Sequence, residues 1–131
     1  MKKVSVIITT YKRPDYLWQA IESVLKQTFK DFELIIVNDD PESQSLEKII
    51  SSYKDPRIIY IKNEKNLGGA KSLNVGLRVA SGDYIAILDD DDVWLSEDKM
   101  EKQVKFLDEN PDYIIVGTSS IEVDHESETE V

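Results

Sequence analysis

The amino-acid sequence predicts an α/β fold, a three-layer α/β/α sandwich built on a mostly parallel sheet. Four short apolar runs, Val4–Ile8, Phe32–Val37, Ile58–Ile61 and Tyr84–Leu88, lack the in–out alternation of a half-solvated strand. Continuous runs of this kind are the pattern of parallel strands covered on both faces. Segments of helical periodicity separate them, as crossover connections require. Polar clusters follow three of the strands: Thr9 to Arg13 after the first, Asn38 to Asp40 after the second, Asp89 to Asp92 after the fourth. In open parallel sheets ligands sit outside the C-terminal strand ends, where strand order reverses, so these exits predict a binding site on one edge.

The elements follow in order. Pro14 suits the first turn of a helix, and Leu17, Ala20, Ile21, Val24 and Leu25 then recur on one helical face. The second strand closes on Asn38-Asp39-Asp40-Pro41, a run of turn formers. Leu46, Ile49, Ile50 and Tyr53 mark the next helix, and the third strand follows Asp55-Pro56. Asn63 to Ala70 reads as a loop, with Gly68-Gly69 as a connection, feeding a helix whose inner face is predicted to be Ala70, Leu73, Leu77 and Ala80. Ser96, backed by Glu97 and Asp98, is predicted to cap the last helix, which ends before Pro111. Tyr113–Val116 is predicted as a final strand. From Glu122 the chain is acidic and poor in large apolar groups, so the tail is expected to be poorly ordered, with no role for His125. The expected organisation is one domain over residues 1–118 and a tail over 119–131.

The stretch that organises the rest is Gly82 to Trp94, where an apolar strand runs into four consecutive carboxylates. Four like charges repel unless something neutralises them, and carboxylates are hard oxygen ligands suited to Mg²⁺, Mn²⁺ or Ca²⁺. In an extended backbone Asp89 and Asp91 would point to one side and Asp90 and Asp92 to the other, two of them on one metal. The plainer reading is a solvated acidic loop. The position of the charges at the end of an apolar strand favours the metal.

Composition bounds the function. With 131 residues, 40% apolar and 32% charged, the chain is long enough for one globular core. A net charge of −10 argues against nucleic acid and against an electrostatic grip on anionic lipid. There is no cysteine, so disulfides are excluded, which is compatible with a reducing cytoplasm. No apolar stretch approaches the length of a membrane span, so a soluble cytoplasmic chain is expected, with membrane association confined to a longer parent.

The residues resemble the nucleotide-binding part of an inverting family 2 glycosyltransferase with a Rossmann-like GT-A fold. The resemblance rests on Val4 to Arg13, on Gln27 to Asp40, on Asn66 to Gly76, and on Gly82 to Trp94 with its Asp-X-Asp motif, nearly the whole chain in the family's order. It implies that Thr9, Thr10 and Tyr11 form a wall beside the nucleobase, with Arg13 near it. It implies that Asp39 bonds the base or ribose, and that Asn66 and Lys71 lie on the segment closing over the nucleotide. Asp89 and Asp90 would face the ribose and metal, and Asp91, with Asp89, would ligate Mn²⁺ or Mg²⁺ on the diphosphate. The implied partners are a nucleotide diphosphate sugar, UDP-linked by family prior, and a saccharide or lipid-linked acceptor in polysaccharide biosynthesis. The implied catalytic base lies C-terminal to this chain.

Some positions depart from the family pattern. Asn38 replaces the first Asp of the usual pair, Asp40-Pro41 replaces Gly-Ser, and Leu73 stands where an Arg is common. Rival readings are a non-catalytic nucleotide or sugar binder, a nucleotidyltransferase, a phosphoacceptor receiver domain and a dinucleotide-binding domain. Thr9 to Pro14 holds no glycine, against the nucleotidyltransferase, and no G-x-G-x-x-G follows a strand, against the dinucleotide domain. A receiver domain would carry its acids after the first strand. Apolar surface left open in a shortened chain predicts self-association to a homo-oligomer.

Overall fold

The computed structural model describes residues 2–124 and 129–130. The elements are β1 (Val4–Thr10), α1 (Pro14–Leu25), β2 (Phe32–Asn38), α2 (Gln44–Ser52), β3 (Ile58–Lys62), α3 (Gly69–Val79), β4 (Tyr84–Ile87) and α4 (Lys99–Glu109). A short ladder of β5 (Val123–Asp124) with β6 (Thr129–Glu130) follows. Two compact units emerge, Met1–Glu101 and Lys102–Val131. The first carries the site.

Its sheet has four parallel strands in the order β3-β2-β1-β4. The chain therefore steps outward from β1 to β3, then returns to place β4 on the other side of β1. The reversal of strand order lies between β1 and β4, the point at which such sheets bind ligands.

Alternating residues of the strands divide the core in two. Ile7, Ile35 and Val37 point to the face carrying α3, where Leu73, Val75 and Ala80 pack on them with Ile59 and Ile61. The helix comes close there because Gly76 has no side chain: a Cβ would lie 2.7 Å from Ile7 Cγ2. Val6, Ile8, Leu34 and Ile36 point the other way and are fully buried. On that side α1 and α2 pack against each other and bury the stripe of Leu17, Ala20, Ile21, Val24, Leu46 and Ile50. Pro14 opens α1 as expected, and the Ser43 hydroxyl caps α2 by accepting from Leu46 N–H at 3.2 Å.

One buried carboxylate fixes where β4 starts. Glu33, in the all-buried β2, accepts from Ser5 Oγ at 2.6 Å and from the N–H and hydroxyl of Ser81 at 2.7 and 3.0 Å. Gly82 N–H donates in turn to Ser5 Oγ at 2.8 Å. Gly82 sits so close to β1 that a Cβ would meet the Ser5 backbone nitrogen at 2.5 Å. This clasp at the lower end of the sheet sets the register of β4, and so the place where its carboxylates emerge.

Four expectations need correction. Tyr84–Leu88 is not covered on both faces: β4 pairs only with β1 among the described residues, and Ile85 and Ile87 are 44% and 54% exposed. Tyr113–Val116 forms no strand; Ile114 and Ile115 are 89% and 80% exposed, and Tyr113 instead meets the Phe106 ring edge-on at 5.2 Å. An apolar run becomes a strand only where a neighbour supplies a ladder. The last helix starts at Lys99, after a turn at Glu97–Asp98 in which the Ser96 hydroxyl bonds the Asp98 carboxylate instead of capping. The inner face of α3 is Ser72, Leu73, Val75 and Gly76, while Ala70 and Leu77 are exposed, because the close approach at Gly76 turns that face to the sheet. The expectation for the acidic tail falls partly on residues 125–128 and 131, His125 included, which lie outside the described residues.

Candidate functional site

An open cleft of about 370 Å³ lies over the C-terminal ends of β1, β2 and β4. Thr9, Thr10, Tyr11 and Arg13 line it from the β1 exit, Asp39 from the β2 exit, and Asp89 and Asp90 from the β4 exit. Asn66, Gly68, Gly69 and Ser72 close it from the entry to α3. Three strand exits thus converge as the sequence pattern predicted.

The β1 and β4 exits are joined through Asp90. Its carboxylate is buried and accepts from Thr10 Oγ1 at 2.9 Å, from Tyr11 N–H at 3.4 Å and from Arg13 Nη1 at 3.3 Å. The same guanidinium nitrogen lies 2.8 Å from Asp91 Oδ2. Lys12, at φ 56°, takes the left-handed backbone conformation that bends the chain from β1 into α1. Burial pushes the Asp90 carboxyl above its ordinary range, against the hydrogen bonds from Thr10 and Tyr11 and the Arg13 charge.

The acidic run is a turn, not an extended strand, with Asp92 N–H donating to the Asp89 carbonyl at 3.1 Å. The alternation expected for Asp89 to Asp92 is therefore replaced by a different division. Asp90 alone turns inward, while Asp89, Asp91 and Asp92 are exposed and bring one carboxylate oxygen each within 4.8 Å of the others. Partial burial and then the charges of Asp91 and Asp89 raise the Asp92 carboxyl. Three carboxylates gathered and mutually repelled fit a hard divalent cation in chemistry and in spacing.

At the β2 exit Asp39 is buried and accepts four hydrogen bonds. Asn63 Nδ2 and Leu67 N–H reach Oδ1, each at 2.8 Å; Asn66 Nδ2 and Gly68 N–H reach Oδ2, each at 2.9 Å. Asn63 Nδ2 also donates to Ser72 Oγ at 3.0 Å, and Asp39 N–H donates to the Thr10 carbonyl at 2.9 Å. Asn38 is buried beside it, its Oδ1 accepting from Asp40 N–H at 2.9 Å to form the turn that Asp40-Pro41 continues.

Of the residues singled out in the sequence, Lys71 is exposed on the first turn of α3 and does not line the cleft. Asp91 reaches the site through Arg13 and its neighbouring carboxylates. Sequence reading missed Asp92 as a third carboxylate, because the turn was not foreseen. It also missed Ser72 and Asn63, both buried; their polar side chains on either side of the Gly-Gly pair were the available signal.

Comparison with known proteins agrees with this geometry. The profile described as Glycosyl transferase family 2 matches residues 5–130. An uncharacterized glycosyltransferase of Methanocaldococcus jannaschii is 50% identical over 112 residues, which is 83% of this chain and 38% of that protein. The Escherichia coli protein WfaP, a UDP-Glc:alpha-D-GlcNAc-diphosphoundecaprenol beta-1,3-glucosyltransferase, is 39% identical over 124 residues, 95% of this chain and 49% of the enzyme. The structure of S. aureus TarS 1–349 in complex with UDP superposes with a TM-score of 0.75 at 29% identity, over 83% of this chain and 33% of that one. The chain spans less than half the length of each of these proteins. By sequence and by its GT-A architecture, the chain belongs to glycosyl transferase family 2.

Proposed function

We propose that this chain binds the donor of a glycosyl transfer, a nucleotide diphosphate sugar that is UDP-linked, together with a divalent cation, Mn²⁺ or Mg²⁺. In the longer protein the reaction is transfer of the sugar to an acceptor hydroxyl, saccharide or lipid-linked, with inversion. The observation that carries this reading is the cleft at the β1–β4 reversal, where three gathered carboxylates stand beside a wall of Thr9, Thr10 and Tyr11. The UDP held by TarS supports the choice of nucleotide.

In this reading Thr9, Thr10 and Tyr11 flank the base and ribose. Asp90, held by Thr10 and Arg13, keeps the β4 turn against β1, so Asp89 and Asp91, with Asp92, face outward to the metal. Asn66, Gly68 and Gly69 present the entry of α3 to the diphosphate, where the helix dipole favours an anion. Lys71 is one turn into that helix, close enough in sequence to follow a bound phosphate. When bound, the cation offsets charge on the departing nucleoside diphosphate as a Lewis acid. Inversion also needs a base that takes the acceptor proton on the opposite face, and no cleft residue is assigned that role.

Titration calorimetry with UDP and then GDP, with and without Mn²⁺, on the native chain and on Asp91→Ala tests the proposal. Metal-dependent UDP binding that the variant loses is the expected result; absence of binding by either nucleotide overturns it. The rival reading, binding without turnover, is favoured by the unassigned base and is separated by assaying donor hydrolysis.

A further inference from the structure

We propose that Ser23 and Gln27 are positioning residues for the carboxylates assigned to the metal: from the end of α1 they grip residues 94–100, the stretch that follows Asp91 and Asp92. The proposal rests on the donor-site reading above and adds the groups that hold the acidic turn in shape.

Neither side chain belongs where it stands on local grounds. The inner stripe of α1 is apolar at Leu17, Ala20, Ile21 and Val24, yet Ser23 is buried with it. Gln27, two residues past the end of the helix, is fully buried as well. A buried hydroxyl or amide destabilises a core unless its hydrogen bonds are remade there. They are remade on one stretch of chain. Ser23 Oγ donates to the Ala20 carbonyl at 2.8 Å and accepts from Trp94 N–H at 3.2 Å. Gln27 Nε2 donates to the Ser96 carbonyl at 2.8 Å and to the Ser23 carbonyl at 3.3 Å. Its Oε1 accepts from Met100 N–H at 3.0 Å, and Thr28 N–H donates to the Glu97 carbonyl at 2.8 Å.

Gln27 thereby serves two helix ends at once. Its own N–H bonds the Val24 carbonyl, so the Ser23 carbonyl, its partner in a regular helix, is met by the side chain instead. At the start of α4 the Ser96 hydroxyl is turned to Asp98, and Gln27 Oε1 takes an N–H of the first turn.

The consequence for the site is spacing. Asp90 is fixed to the β1 exit by Thr10, Tyr11 and Arg13, and Trp94 is fixed to α1 by Ser23. Between these anchors lie only Asp91, Asp92 and Val93. The gathered carboxylates of Asp89, Asp91 and Asp92 repel one another, and on a loose turn they would move apart. A turn held at both ends keeps them together, so a cation meets ligands that need no further ordering.

The variants for the test are Ser23→Ala and Gln27→Met, which keeps the side chain's length and removes its polar atoms. Amide hydrogen exchange on the metal-free chain should quicken at Trp94 in the first and at Met100 in the second. It should quicken in both at Asp92, whose N–H closes the turn on Asp89. The expected change is roughly tenfold beyond any change at Ile7 and Ile35 in the sheet, the scale of one buried bond lost. Mn²⁺ alone, titrated by electron paramagnetic resonance well below the melting temperature, should bind both variants roughly tenfold more weakly, as when groups behind metal ligands are removed. A purely structural role would lower the melting temperature and leave the Mn²⁺ affinity of the folded chain unchanged; that result overturns the proposal. Exchange at Asp92 that only keeps pace with the sheet amides overturns it too. Ser23→Ala puts the best helix former into α1, so it carries the test should Gln27→Met fail to fold. If the native chain binds no Mn²⁺, the donor-site reading fails, while exchange at Asp92 still decides whether α1 holds the turn.

Discussion

Two acidic strand exits face the same cleft and are built in opposite ways. At the end of β2, Asp39 is buried and accepts four hydrogen bonds from the protein's own N–H groups. At the end of β4, Asp89, Asp91 and Asp92 are exposed, crowd one another, and have the Arg13 guanidinium on Asp91 as counter-charge. The charge at the first exit is met by donors of the fold. The second leaves three carboxylates exposed and mutually repelling. An aspartate at a strand end is therefore not one kind of residue, and what separates the two kinds is how many donors the fold brings to it.

The largest effect expected from breaking this contrast is on stability. Asp39→Ala should lower the unfolding free energy by about 3 kcal/mol, as four donors lose a buried charged partner, whereas Asp91→Ala should change it by less than about 0.5 kcal/mol, as exposed ion pairs do. Urea denaturation of both variants checks this, and similar losses in the two would erase the contrast.

Metal should act on only one exit. Mn²⁺ at a hundred times its dissociation constant should stabilise the native chain by about 2.7 kcal/mol through mass action. Thermal melts should find that gain abolished in Asp91→Ala. A gain that survives there would place the ion elsewhere.

Acid should separate the exits by sign. Asp39 is held below its ordinary value of 3.8, so its contribution is fully present above that pH and is lost as pH falls through the lower folded value. The stability gap between the native chain and Asp39→Asn should be flat from neutrality to about pH 4 and narrow below it. Asp92 is raised above 3.8, so its charge opposes folding at neutral pH and that penalty vanishes as the group is protonated. In metal-free buffer Asp92→Asn should therefore melt slightly above the native chain at pH 7 and together with it in acid. This is the smallest effect, since Asp92 is exposed. A variant that melts lower at pH 7 would contradict the crowding.

Much of this arrangement was legible before any coordinates. The apolar runs located β1 to β4, Pro14 located the start of α1, and the polar exits located the cleft, since burial and helix chemistry act on adjacent residues. What stayed hidden depended on contacts across long stretches of chain. Phe32–Val37 and Tyr84–Leu88 look alike as apolar runs, yet β2 lies inside the sheet and β4 has a neighbour on one side only. Tyr113–Val116 has the composition of a strand and no partner to pair with among the described residues.

By itself the sequence determined the parallel α/β architecture, the family resemblance and the carboxylate-rich exits, because apolar periodicity and strand-end chemistry are local properties. Tertiary structure alone decided which aspartates are buried among donors and which stand exposed together. The Asp39 carboxylate draws donors from residues 24 to 29 positions away, and Asp90 is turned inward by Thr10, 80 positions away. A carboxylate's role follows from the donors the fold delivers to it, and that delivery is written in no single stretch of the chain.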